Sequence, residues 1–81
     1  MAATNEKEKK TRAQPEIIEH IAVLRQHSNG WTKEINIVSW NGDDPVIDIR
    51  SWSKYHRNFG RGVSFDDDEL DILASVINND L

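Results

Sequence analysis

Stacking rings and cations crowd one third of this 81-residue chain. Indoles stand at Trp31, Trp40 and Trp52, a phenol at Tyr55, and positive charges at Lys33, Arg50, Lys54, Arg57 and Arg61. Flat π-systems stack on unpaired nucleobases at about 1–3 kcal/mol per base, and cations track the phosphate backbone. A carboxamide such as Asn36 adds a donor and an acceptor for a base edge. The bland alternatives are packing for the tryptophans, most of all Trp31, and an ion pair of Arg50 with Asp48 or Glu34. Replacing Arg50 by alanine is accordingly expected to weaken binding and to spare the melt.

Other chemistry finds little support. There is no cysteine, so disulfides and thiolate metal sites are excluded. His20, His27 and His56 lack ligand spacing, Ser64 has no base in view, and no phosphate-loop glycines occur. The run Asp66-Asp67-Asp68-Glu69 fits a helix start better than a cation loop. The expectation is a protein that is not an enzyme, with no metal, cofactor or small-molecule substrate.

The elements that position these groups follow from periodicity. Over Trp31–Trp52, Ile35, Ile37, Ile47 and Ile49 alternate with Glu34, Asn36, Val38, Asp48 and Arg50. That pattern predicts two strands with one apolar face and one mixed face carrying Trp40, Arg50 and Trp52. Asn41-Gly42, followed by Asp43, Asp44 and Pro45, marks the turn. A loop over 41–45 sets Trp40 opposite Val46, Asn36 opposite Arg50 and Ile37 opposite Ile49. Residues 16–25 have no clean alternation and suit a helix by periodicity alone, but Ile17, Ile18, Ile21 and Val23 favour a strand. Residues 26–30 read as a turn, 53–61 as a loop and 62–65 as a short fourth strand.

Residues 66–81 read as a helix with Asp66 as N-cap and Glu69 closing a capping box. Its stripe of Leu70, Leu73, Ala74, Ile77 and Leu81 is expected to cover the isoleucine face. Ile72 and Val76 fall outside that stripe and are candidates for a self-contact. A domain this small without disulfides often gains stability by oligomerising, so a homodimer is expected.

The net charge of −4 is unevenly spread. Residues 15–65 balance, the excess acid lies in Asp66, Asp67, Asp68, Glu69, Asp71 and Asp80, and residues 1–14 are weakly basic. Screening over about 8 Å separates the acidic helix from the opposite surface. Residues 1–14 read as a disordered tail before one domain over 15–81. With no long apolar run and no secretory leader, the expected location is cytoplasmic, nucleoid association included, with no membrane contact.

Ile47-Asp48-Ile49-Arg50-Ser51-Trp52, then Gly60-Arg61-Gly62-Val63-Ser64-Phe65 and an acidic-capped helix, resemble the positive-cofactor-four family of single-stranded-DNA-binding transcriptional coactivators. Gly30-Trp31-Thr32-Lys33-Glu34 and Val38-Ser39-Trp40-Asn41 extend the likeness to its short bacterial members, over about residues 16–81. The resemblance implies an α+β fold, a twisted four-stranded antiparallel sheet with one C-terminal helix, paired through the helices. It implies DNA contact by Arg50, stacking by Trp40 and Trp52, and phosphate contact by Arg61. Glu34 and Val38 stand where the family carries positive charge, which implies a shallower salt dependence. The readings kept beside single-stranded DNA are single-stranded RNA and a protein-interaction module built on an exposed tryptophan face.

Overall fold

The computed structural model describes residues 14–81. Four strands, β1 (Pro15–Gln26), β2 (Thr32–Trp40), β3 (Val46–Trp52) and β4 (Phe59–Phe65), form one antiparallel sheet in sequential order. One helix, α1 (Asp67–Asp80), follows. This is the expected β-β-β-β-α architecture. Apart from Gln14, the tail expected over 1–14 lies outside the described residues. Among the described residues no helix is long and apolar enough to cross a membrane.

The register of the central hairpin differs from the expected one by two residues. Glu34 faces Arg50, Asn36 faces Asp48, Ile37 faces Ile47 and Val38 faces Val46. Asn36 is therefore not opposite Arg50, and Trp40 is not opposite Val46. Asn41 and Gly42 do take positive φ (56° and 82°), and Asp43 N–H bonds the Trp40 carbonyl at 2.8 Å. That tight turn stands beyond the last β2–β3 pair, so the connection is longer than 41–45. Trp40 pairs instead with Pro15 of β1. A two-residue shift preserves parity, so the division into faces survives it.

β1 has no alternation because its register slips against β2 three times, between Ile17 and Glu19, His20 and Ala22, and Val23 and Arg25. Each slip sets two β1 residues against one of β2, which bends the strand and increases its twist. The residues sharing a face with Glu34, Asn36 and Val38 are Val23, His20 and Ile17, a period of three. A fourth slip lies between Arg50 and Trp52 on β3 and their β4 partners Gly62 and Phe59. β4 also begins earlier than expected, at Phe59 rather than Gly62.

These bulges curl the sheet toward its mixed face. Trp40 lies six residues along β2 from Glu34, the partner of Arg50, about 20 Å on a flat strand. The Arg50 guanidinium nevertheless sits 4.5 Å from the centroid of the Trp40 ring. The mixed face is thus the concave one, and it is the better buried. Glu34, Asn36, Val38, Asp48 and Trp52 are buried, while Ile35, Ile37, Ile47 and Ile49 are only half-buried.

α1 starts as its sequence dictates. Asp66 Oδ1 accepts the Glu69 N–H at 2.8 Å, and Glu69 Oε1 accepts the Asp66 N–H at 2.9 Å. The helix lies on the isoleucine side, where Ile72, Leu73 and Val76 line an apolar groove with Val63 and Phe65 of β4. Within one chain it does not cover the isoleucine face, contrary to expectation. No α1 residue is buried, and Ile77 and Leu81 of the intended stripe are as open as Ile72 and Val76.

Where β4 crosses Arg50 the strands leave no room for a side chain. A Cβ on Gly62 would collide with Arg50 Cβ and the Ile49 carbonyl oxygen. Gly62→Ala should therefore lower stability by about 1–3 kcal/mol, the range for overpacking, read from a urea melt followed by circular dichroism.

Candidate nucleic-acid interface

Two carboxylates are buried on the concave face, and each is held by its own set of donors. Asp48 has no exposed surface. Arg50 Nε reaches its Oδ1 at 2.8 Å, Arg50 Nη2 reaches Oδ2 at 2.8 Å, and the Ser64 hydroxyl donates to Oδ2 at 2.7 Å. This is the bidentate fork that suits guanidinium to carboxylate. Arg50 Nη1 donates to the Gly60 carbonyl at 3.1 Å, which ties β3 to the start of β4.

Glu34 anchors the second set. Its carboxylate accepts from Thr32 Oγ1 at 2.6 Å and from Asn36 Nδ2 at 3.1 Å. His56 Nε2 lies 3.0 Å and 2.9 Å from its two oxygens, and His20 Nδ1 lies 3.4 Å from Oε1. Burial alone would raise the Glu34 pKa. The hydrogen bonds from Thr32, Asn36 and His56, with the charge of His56, outweigh burial and hold it below the ordinary carboxylate value. Three elements therefore meet on one carboxylate: β1 through His20, β2 through Glu34 itself, and the turn between β3 and β4 through His56. The sequence shows no spacing that would announce this cluster, because bulges in β1 and a reversed turn after β3 bring it together.

That turn spans Lys54–His56 and carries Tyr55 and His56 in succession at positive φ (62° and 56°). A side chain held there costs of order 1 kcal/mol or more. The surroundings impose it: His56 is bound to Glu34, its ring lies 5.5 Å from Trp52, and Ser53 and Asn58 close the turn through their backbones at 2.9 Å. The result lifts Tyr55 into solvent, 73% exposed. Lys54 Nζ stands 5.2 Å and the Arg57 guanidinium 5.7 Å from its ring. A solvent-facing ring between two cations offers a base a stacking surface and its phosphate two partners.

Below this turn runs a groove of about 620 Å³, lined on one side by Gln14, Pro15 and Ile17 and on the other by Trp52, His56, Arg57, Asn58 and Phe59. Phe59 links the indoles, 5.2 Å from Trp40 edge to face and 5.9 Å from Trp52.

Of the residues the sequence singles out, Lys54, Tyr55 and Arg57 lie together on the turn; Arg57 and Trp52 line the groove, and Trp40 meets the groove-lining Phe59 edge to face. Trp52 is only 2% exposed, so it supports the groove and offers no free face for stacking. Asn36 is wholly buried and spends its side chain on Glu34 and His20. Arg50 is the ion pair named above as the bland alternative, its charge balanced by Asp48. Lys33 pairs with Ser51 and Arg25, which sets it on the isoleucine face, away from the groove. Arg61 is exposed in the β4 bulge opposite Ser51. Phe59, which sequence reasoning assigned to the loop, is the aromatic that joins the two indoles.

Arg50→Ala would leave Asp48 as an unpaired buried charge. The sparing of the melt expected from sequence is therefore replaced by a loss of about 3–5 kcal/mol, measured as a lowered midpoint in thermal or urea unfolding.

No known family profile matches the chain. It is 33% identical over 64 residues to an uncharacterized protein of Treponema pallidum (strain Nichols), a match that spans 79% of this chain and 75% of that one. At that identity and coverage, the chain belongs to the same family as the Treponema protein.

Proposed function

We propose that this protein binds single-stranded DNA with little sequence preference, as a homodimer, and acts in transcription as a coactivator or in replication or repair. The observation that carries the reading is Tyr55, open to solvent beside Lys54 and Arg57, on a turn whose His56 and Arg57 line a groove with Trp52 and Phe59. Among the described residues, the face holds one solvent-facing ring, two cations outside any ion pair and an aromatic floor, with neither a nucleophile–base pair nor a phosphate loop. The likeness to the positive-cofactor-four family supports the same reading. The cell compartment that fits it is the cytoplasm.

Strand recognition here divides into two jobs. Lys54 and Arg57 neutralise phosphates, the term that makes affinity fall with salt. Tyr55 and, at the groove wall, Phe59 supply π-surfaces that accept any base. With Arg50 balanced by Asp48 and Lys33 on the other face, few cations remain to release counterions. Affinity then depends more on stacking, and the salt dependence is shallow.

Titration of intrinsic fluorescence with oligo-dT at low salt tests this. Saturable quenching that weakens with added salt is the expected result, and Tyr55→Ala should lose about 1–3 kcal/mol of binding without moving the melt. Absence of any oligonucleotide effect at low salt would favour a peptide or protein ligand for the same face. Tighter binding of oligo-U than oligo-dT would shift the assignment to RNA.

The dimer is proposed through α1. Ile72 is 67% exposed and Val76 40%, beside half-open Val63 and Ile77. The apolar groove between α1 and β4 has about 350 Å³ to receive a partner's side chains. Ile72→Asp combined with Val76→Asp should elute as a monomer on a sizing column where the unaltered protein elutes as a dimer.

A further inference from the structure

We propose that His56, clamped on the buried carboxylate of Glu34, is the positioning residue that holds the turn bearing Lys54, Tyr55 and Arg57 against the sheet, and that through it strand binding tightens as pH falls from 8 to 6. This rests on the nucleic-acid reading above and adds a regulatory property to it.

Position comes first. His56 is the only side chain of the Lys54–His56 turn bonded to the sheet, through contacts of 2.9 and 3.0 Å to the two Glu34 oxygens. Its own backbone and that of Tyr55 lie in the left-handed region, which a non-glycine residue occupies only under outside constraint. The constraint is the clamp, seated against the Trp52 ring. Releasing it frees the turn to relax, and relaxation moves the three ligand-facing side chains together.

Charge supplies the pH dependence. Imidazole is the side chain whose ordinary range of charge change falls between about pH 5 and 8. The groups facing His56 are known from each neighbouring element: Glu34 on β2, His20 on β1 across that carboxylate, and the uncharged Trp52 on β3, whose Asp48 and Arg50 are paired with each other. Lys54 and Arg57 flank it on the turn, and β4 presents Phe59. Asp48 and Arg50 cancel, so a neutral His56 leaves Glu34 beneath the turn with His20, 3.4 Å from Oε1, as its one other ionisable neighbour among the described residues. A protonated His56 compensates the Glu34 charge and makes the donor as well as the acceptor of that hydrogen bond charged. Both changes favour a polyanion, and both act in the same direction as protons are added.

The test measures oligo-dT affinity of the full chain at pH 6.0 and 8.0 at one fixed ionic strength, with every variant made also in a His20→Gln background that removes the other histidine on Glu34. Binding should be on the order of fivefold tighter at pH 6.0, the scale of one partly exposed ion pair. His56→Gln keeps a donor and loses the titration, so its affinity should be equal at the two pH values. His56→Arg should bind equally at both pH values and at the tighter level. A pH dependence that persists in His56→Gln overturns the proposal, as does a flat response in the unaltered protein. A second measurement stands apart from binding. In the free protein, the Tyr55 and Arg57 amide resonances should shift in step with titration of the His56 ring, and Glu34→Gln should abolish the coupling. Amides that ignore the ring overturn the clamp whether or not DNA binds, whereas coupled amides with no oligonucleotide binding overturn only the choice of ligand.

Discussion

A carboxylate taken wholly out of water is tolerable only if bonded on every side, and Asp48 sets that condition for the entire sheet. Its partners come from β3 (Arg50) and β4 (Ser64), and Arg50 extends the tie to the Gly60 carbonyl. The pair forces β4 against Arg50, where glycine alone fits at position 62. It also fixes the guanidinium beneath Trp40 and 5.8 Å from Phe59, so the aromatic layer is assembled around a charge already spent internally. Replacing the pair by apolar residues of similar volume could leave stability unchanged, as often holds for buried ion pairs. What it would remove is the rigid seat for the rings.

The sheet thereby inverts the usual arrangement. Its polar face is inside and its isoleucine face half outside. Curling buries the concave face without any covering layer, because the sheet's own long side chains fill the bowl. The convex face is left to a helix that touches little beyond β4 and keeps no residue buried. A single domain of this size has little apolar burial to set against the entropy of ordering its chain. A second copy on the convex side, as proposed above, would cover that face and leave the concave groove open.

How much of this was legible in the sequence depends on what kind of information each feature carries. Parity is local, so the two faces of β2 and β3 and the capping box at Asp66 could be read from alternation and spacing. Register is not local. The Asn41-Gly42 turn was found, but the two residues by which the connection outgrows it lie in how Ser39 bonds the Asp43 carbonyl at 2.6 Å, which no pattern encodes. β1 concealed its bulges as a loss of alternation, and the period of three in Ile17, His20 and Val23 was the signal available. Burial was misjudged because hydropathy assigns isoleucines inside and Glu34, Asn36 and Asp48 outside, whereas curvature decided the matter. The His20–Glu34–His56 cluster was invisible for the same reason: its members meet only after the strand has bent and the turn has reversed.

The aromatic layer differs from the two carboxylate clusters in how firmly it is held. Asp48 and Glu34 have their acceptors filled, but the indole N–H groups of Trp40 and Trp52 are buried without an acceptor among the described residues. Each such donor costs about 1–3 kcal/mol relative to a bonded one. For Trp40 the compensation is a cation–π contact and an edge on Phe59, interactions of about 0.5–2 kcal/mol apiece. The balance for Trp40 is therefore close to even, and its ring sits at the end of β2 where the sheet opens into a turn. Rotation of the indole would offer its N–H to water. Rearrangement is cheapest where the bonding is least complete, so Trp40 is the part of the aromatic layer freest to move, while the ion pair beneath it stays fixed.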